Sequence, residues 1–367
     1  MSVFTPPSRL LFGPGPSQVP ERVYQAMAQP IVGHLDPFLF EQFEHIRAAL
    51  RELFGTKNQF VHALSGTGSA GMEASLSNFV LPGQKLAVFS AGYFSERIID
   101  MGKRHGANVV VLNKPWGETF TEAEATEFLN KEKPAVAAFV HAETSTGALQ
   151  EPKAITGPAH AVGALTIADC VTSLGALPIN VDENGIDIAY SCTQKGLSCP
   201  PGMSPVTASP AAIERLRART APCPIWYLDY GLLLEYYEGS HRYHHTAPVS
   251  SIYALREGLA AIMEEGVNKR FARHQNAHQY FVKRAAKEGL SLLVPEGRRV
   301  PNLNTLCVPE GVDDPKTRKR LLTEKGIEIA GGFGPLAGKI FRIGVMGPLA
   351  TEPNVDLLFD SLLECMK

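Results

Sequence analysis

The sequence predicts an α/β protein: a large domain on a mostly parallel sheet with helices on both faces, and a smaller α+β C-terminal domain. Short continuous apolar runs recur with helical stretches between them, the pattern of strands buried on both faces. A chain of 367 residues exceeds what one core commonly serves, so a second unit is expected. With 44% hydrophobic and 20% charged residues, the composition is that of a folded globular chain. The boundaries we expect are an N-terminal loop segment over 1–20, a large domain over 21–260 and a small domain over 261–367.

Taken in order, residues 12–20 (FGPGPSQVP) are too rich in Gly and Pro for a helix or strand. Gly13 and Gly15 would let a ligand approach their backbone closely, and a stiff entry segment explains them equally well. Residues 41–53 carry apolar positions at helical spacing. A strand over 59–64 runs into Ser65-Gly-Thr-Gly-Ser-Ala-Gly71 and then a helix over Met72–Phe79. Thr67, Gly68 and Ser69 thus precede a helix whose free N–H groups and positive dipole end suit an anion. The lysine of a nucleotide P-loop is absent, and a plain capped helix would use the same residues.

A βα rhythm follows. Strands are expected at 85–90, 108–112, 135–140, 165–168 and 186–191, with helices at 96–103, 122–130 and 152–162. Residues 249–281 read as one long helix leading to the small domain. That domain would hold strands at 291–294, 303–308 and 340–345, and helices at 315–324 and 353–365. No internal repeat or low-complexity tract is present.

Ligands of such sheets bind beyond the carboxyl ends of the strands, which makes the residues found there informative. Phe94 follows the strand 85–90, Thr144 follows 135–140, Asp169 follows 165–168 and Lys195 follows 186–191. With Thr67–Ser69, they converge on one edge. A lysine there, followed by Gly196 and a Pro200-Pro201-Gly202 turn, faces a cleft or is costly to bury. Desolvation lowers its pKa and frees an amine able to condense with a carbonyl. Pyridoxal phosphate needs that amine, an acid at its pyridine nitrogen, an anion site and a flat contact for its ring.

Several stretches carry a family resemblance: LLFGPGPSQVP, ALSGTGSAGMEA, HAETSTGALQ, the Asp169 segment, the 190–202 segment, RYHHTAPVSSIYALREGL, EIAGGFGP and FRIGVMG. In these the chain resembles the alanine–glyoxylate and serine–pyruvate aminotransferases of class V, within the fold-type I pyridoxal-phosphate enzymes. The resemblance implies that Lys195 binds the cofactor aldehyde and Asp169 pairs with the pyridinium nitrogen. Phe94 and Val171 would pack on opposite ring faces, and Thr144 would bond near the phenolic oxygen. Thr67, Gly68, Ser69 and Gln194 would hold the phosphate, with Tyr243 and Thr246 reaching the phosphate of the neighbouring subunit in a homodimer with shared sites. Arg342 would hold the substrate carboxylate, with Gly15 and Thr144 beside the substrate. Animal members have tryptophan, histidine and serine where this chain has Phe94, Ser69 and Thr144.

The implied reaction moves an amino group from alanine or serine to a small 2-oxo acid, glyoxylate first. The alternatives are a ureidoglycine-type donor or another class V chemistry such as desulfuration, elimination or hydrolysis. A net charge of −2 offers no basic footprint for nucleic acid or an anionic membrane. Cysteines at 170, 192, 199, 223, 307 and 365 form no CxxC pair, which suits a reducing compartment. No secretory leader, membrane span or peroxisomal address is read, so a cytoplasmic protein is expected. His241, His244 and His245 lack a carboxylate or thiol at ligand spacing, and no metal is expected.

Overall fold

Six expected strands enter one seven-stranded sheet of the computed structural model, which describes residues 4–367. From edge to edge the order is Phe60–Ser65, Met203–Ala208, Ile188–Tyr190, Leu165–Asp169, Val136–Val140, Lys85–Ser90 and Asn108–Asn113. The last five pair in parallel. Their apolar residues are buried, Val136, Ala137, Leu86 and Ile188 fully so, as expected of strands covered by helices.

Met203–Ala208, unforeseen in the sequence, is antiparallel to both of its neighbours. Pro205 and the preceding Pro-Pro-Gly turn argue locally against a strand. The Pro205 carbonyl nevertheless accepts from Ser191 N at 2.7 Å. Pairing on two sides thus outweighs the local signal.

Three helix starts lie three or four residues earlier than expected. Helix Pro37–Phe54 begins at proline behind Asp36, whose side chain accepts from Phe38 N, a favourable N-terminus. Helix Gly68–Phe79 takes the glycine-rich turn into its own first turn. Helix Tyr93–Arg104 begins three residues before Glu96 and so includes Phe94. The single long helix expected over 249–281 is two helices, Val249–Glu265 and Val267–Lys287. Gly266 separates them with φ 88°, a conformation that ends a helix and that glycine adopts without strain.

The C-terminal part holds an antiparallel sheet in the order Leu303–Cys307, Ile340–Gly344, Ala330–Gly331. The strand expected at 291–294 is reduced to a bridge between Leu292 and Leu306. Helices Asp314–Lys325 and Glu352–Met366 flank this part. Its buried apolar residues form a cluster separate from that of the large sheet, and Phe12 packs into it. Leu10–Leu11 also pairs with Ile327–Glu328, so the N-terminal segment is attached to the C-terminal unit. Among the described residues no helix is long and apolar enough to cross a membrane, and all six cysteines are unpaired.

Candidate active site

Beyond the carboxyl ends of the parallel strands lies a cavity of about 320 Å³. Gly15, Thr67, Gly68, Ser69, Phe94, Thr144, Asp169, Val171, Gln194, Lys195 and Arg342 all line it. Tyr243 and Thr246 do not, and both are exposed on this chain.

Lys195 sits in the turn after strand Ile188–Tyr190, and its position is held from three sides. Ser17 Oγ donates to the Lys195 carbonyl at 2.7 Å, and Ser17 N donates to the Gln194 carbonyl at 2.8 Å. Arg270 donates to the carbonyls of Gly175 and Gly196 at 2.8 and 2.7 Å. At Gly196 a Cβ would run into the Leu174 carbonyl, so the turn closes only with glycine. A Cβ on Gly15 would lie 3.2 Å from Lys195 Cγ, which places the Gly/Pro segment along the lysine stem. Burial lowers the pKa of the Lys195 amine, against the pull of Asp169 and Glu143. Among the described residues it has no carboxylate partner within ion-pair distance.

Asp169 ends strand Leu165–Asp169 and is 2% exposed. Its Oδ1 accepts from Val171 N and its Oδ2 from the Tyr190 hydroxyl, each at 2.9 Å. Burial pushes its pKa up to about 6, against these two hydrogen bonds. The carboxyl is therefore ionised near neutral pH and gains from any cation brought into the cavity.

The candidate anion cup is the first turn of helix Gly68–Phe79. Thr67 occupies the N-cap position without using its side chain to cap the helix, so its hydroxyl is available to a ligand. A Cβ at Gly68 would come within 2.9 Å of Val171 Cγ2, which explains glycine there. Arg97 donates to Ser69 Oγ at 3.2 Å and lies 4.9 Å from the Phe94 ring centroid. Gln194 Oε1 is buried without a hydrogen-bond partner, a state that a bound polar group would relieve.

Arg342, central in strand Ile340–Gly344, is buried. Its Nε donates to the Gly331 carbonyl at 2.6 Å and its Nη1, at 3.4 Å, to the Thr144 carbonyl. The guanidinium carbon stands 3.9 Å from the Phe333 ring centroid. No acid pairs with it among the described residues, and burial lowers its pKa to about 10. With Nε engaged, one face covered and Nη1 spending one hydrogen on the long bond to Thr144, Nη2 and the second Nη1 hydrogen are left for an oxyanion such as a carboxylate.

Arg97, Glu328 and Phe333 also line the cavity without having been singled out from sequence. Arg97 follows Phe94 by one helical turn, a relation that becomes readable once the helix is known to start at Tyr93. Tyr190 and Arg270 act on the site from behind, through contacts with no local signature.

The arrangement combines a desolvated amine, a buried acid, a helix-end anion site and a guanidinium fork around one cavity. The family profile described as Aminotransferase class-V matches residues 9–342. The chain is 37% identical over 365 residues to an alanine–glyoxylate aminotransferase of Callithrix jacchus, covering 98% of this chain and 88% of that one. It is 35% identical over 367 residues to an (S)-ureidoglycine–glyoxylate transaminase of Bacillus subtilis, covering 95% and 88%. The crystal structure of an alanine–glyoxylate aminotransferase from Nostoc sp. superposes with a TM-score of 0.98 at 45% identity, covering 100% of this chain and 97% of that one. Profile, relatives and geometry agree over nearly the whole length: the chain belongs to the class V aminotransferases, and it is a transaminase.

Proposed function

We propose that this transaminase uses pyridoxal 5′-phosphate to move an amino group from alanine or serine to glyoxylate. The observation that carries the reading is that buried Lys195 and Asp169 line one cavity, neither with an ion-pair partner among the described residues. The residues fit the cofactor. The first turn of helix Gly68–Phe79, with Thr67, Ser69 and the unpartnered Gln194 Oε1, would hold the phosphate. Asp169 would face the pyridine nitrogen, Phe94 and Val171 would flank the ring, and Thr144 would lie at its phenolic side.

When bound, pyridoxal phosphate supplies an electron sink for the charge left when the substrate Cα loses its proton. The chain's own groups do the rest. Lys195, its amine pKa lowered by burial, would offer the amine that holds the cofactor aldehyde, and at Nζ it would serve as the base that moves the Cα proton. Asp169 keeps a positive charge at the ring nitrogen favourable. Arg342 holds the carboxylate common to amino acid and oxo acid, so one fork serves both half-reactions. Phe333, which lines the cavity over the guanidinium and is backed by the Tyr93 ring with centroids 4.8 Å apart, would favour small side chains. Glyoxylate as acceptor rests on the alanine–glyoxylate and ureidoglycine–glyoxylate enzymes the chain is similar to.

We further propose a homodimer in which Tyr243 and Thr246 complete the partner's phosphate site. Both are exposed, and exposed apolar side chains including Ile31, Phe38, Trp226 and Tyr227 accompany them. The large and small domains proposed over 21–260 and 261–367 are supported by the two apolar clusters. Cytoplasmic location is supported by six unpaired cysteines.

The test is a panel of amino donors, alanine, serine and ureidoglycine among them, against glyoxylate and pyruvate, run on yellow, cofactor-loaded protein. Borohydride reduction should fix the label on Lys195. A label elsewhere, or no amino transfer to any oxo acid, overturns the assignment. Mixed dimers of Lys195→Ala chains with Tyr243→Phe/Thr246→Ala chains should regain one intact site; full activity in a monomer contradicts the shared site.

A further inference from the structure

One buried acid beside the cavity is left unused by the reaction as derived. Glu143 is 6% exposed, and its carboxylate is fully engaged. Oε1 accepts from Ser145 N at 2.9 Å and from Ser145 Oγ at 2.7 Å, while Oε2 accepts from Phe94 N at 3.1 Å. Ser145 Oγ in turn accepts from Tyr93 N at 3.0 Å. The first N–H groups of helix Tyr93–Arg104 are therefore satisfied by a segment about fifty residues further along the chain, separations of 49 and 52.

The usual solution is local: Ser, Thr, Asp or Asn at the N-cap. Here the N-cap is Gly92, with no side chain to offer. The reason lies in space, since a Cβ at Gly92 would stand 2.6 Å from Glu143 Cδ. A local cap has been given up so that a distant carboxylate can enter. Burying a carboxylate is the costlier way to cap a helix, so capping alone does not explain it. The arrangement ties together two elements that both face the cavity. Phe94 is the second residue of the helix, and Thr144 follows Glu143 directly. The Glu143 carbonyl closes the same turn by accepting from Gly147 N at 2.7 Å.

We propose that Glu143 is a positioning residue for the ring-stacking face of the site: its carboxylate holds the backbone of Phe94 in register with Thr144. The proposal rests on reading this cavity as the pyridoxal-phosphate pocket. Glu143 itself needs no contact with cofactor or substrate. It acts through the Phe94 amide, and Ser145 is its relay to Tyr93. Glutamine cannot replace it, because its NH₂ end cannot accept from Phe94 N while its oxygen serves Ser145.

The experiment is a double-mutant cycle on the full chain. Cofactor-stripped wild type, Glu143→Gln, Phe94→Ala and the double variant are titrated with pyridoxal phosphate. Affinity is read from fluorescence, and ring placement from the circular dichroism of the bound-cofactor band. Glu143→Gln should weaken binding by about tenfold, the scale of one lost charge-assisted hydrogen bond, and should diminish the dichroic band. In the Phe94→Ala background the same change should cost less than about twofold, because residues acting as one unit are not additive. An equal loss in both backgrounds overturns the proposal, as does unchanged binding by Glu143→Gln. Should Glu143→Gln fail to fold, Gly92→Ala displaces the carboxylate without altering it and must show the same coupling to Phe94. Wild-type protein that takes up no pyridoxal phosphate defeats the reading of the pocket itself. Binding by wild type without coupling defeats the role of Glu143 alone.

Discussion

The floor and the rim of the cavity solve different problems with different parts of the chain. The floor is the end of the large sheet, where Asp169 and Lys195 are nearly sealed and braced by Tyr190, Ser17 and Arg270. The rim belongs to the C-terminal sheet and its loop, where Phe333 is 36% exposed above Arg342, and to Tyr93, which is 37% exposed. On the floor, burial lowers the pKa of the amine and raises that of the acid, the directions the proposed chemistry calls for. At the rim, the proposed recognition would use a cation whose fork direction is set by Gly331, Thr144 and Phe333. Lys195 at 7% and Arg342 at 4% exposure are similarly enclosed, so the difference lies in what burial does: it shifts the titration of the floor groups, whereas the guanidinium stays charged and supplies direction.

This contrast can be broken at its strongest point first. Lys195→Ala removes the anchoring amine and the proton carrier together, so kcat should fall by more than about 10⁴-fold. The fold should persist, because the turn is held by the Lys195 and Gly196 carbonyls and not by the side chain. Steady-state assays alongside thermal unfolding check both halves, and appreciable multiple turnover would place the amine outside the chemistry.

A rim lesion should look different. Arg342→Ala removes a desolvated carboxylate partner, a loss of about 2–5 kcal/mol, so kcat/KM should drop roughly thirty- to several-thousand-fold. The cofactor absorption band should survive, and Arg342→Lys should recover only part of the loss, since a point charge does not reproduce the fork. If the band and the melting temperature fall together while carboxylate preference is unchanged, Arg342 belongs to the framework and not to recognition.

The mildest expected effect sharpens the claim that burial tunes the floor. In cofactor-free protein the Asp169 pKa is raised from 3.8 to about 6. A raised folded-state value means that the group's contribution to stability is complete below 3.8 and is lost as pH rises through about 6. Relative to wild type, Asp169→Asn should therefore gain stability across that interval, by up to about 3 kcal/mol. Urea unfolding of both cofactor-free proteins at several pH values measures the difference, and a pH-independent gap would remove burial as the cause.

Much of the architecture was legible because its signals are local. Continuous apolar runs marked six of the seven sheet strands, and the rule that ligands bind at strand ends directed attention to Phe94, Thr144, Asp169 and Lys195. The helix start at Gly68 is masked because its first turn, Gly-Ser-Ala-Gly, also suits a turn, and that at Tyr93 because its N-cap is Gly92 with no capping side chain. The helix break at Gly266 has no clear sequence signal, because an isolated glycine inside a helical pattern can also be tolerated within a continuing helix. Met203–Ala208 was missed because its support lies in two neighbouring strands and not in its own composition.

The sequence by itself determined which residues meet at the cavity, since a lysine, an acid, a glycine-rich helix start and an arginine within a strand each leave a short-range mark. Only the tertiary structure decided how they are held. The Tyr190 hydroxyl on Asp169 spans 21 residues, Glu143 on Phe94 spans 49, and Arg270 on Gly196 spans 74. Such contacts depend on which strand lies beside which and on where two separate cores meet, and through-space adjacency of this kind has no period or motif in the chain.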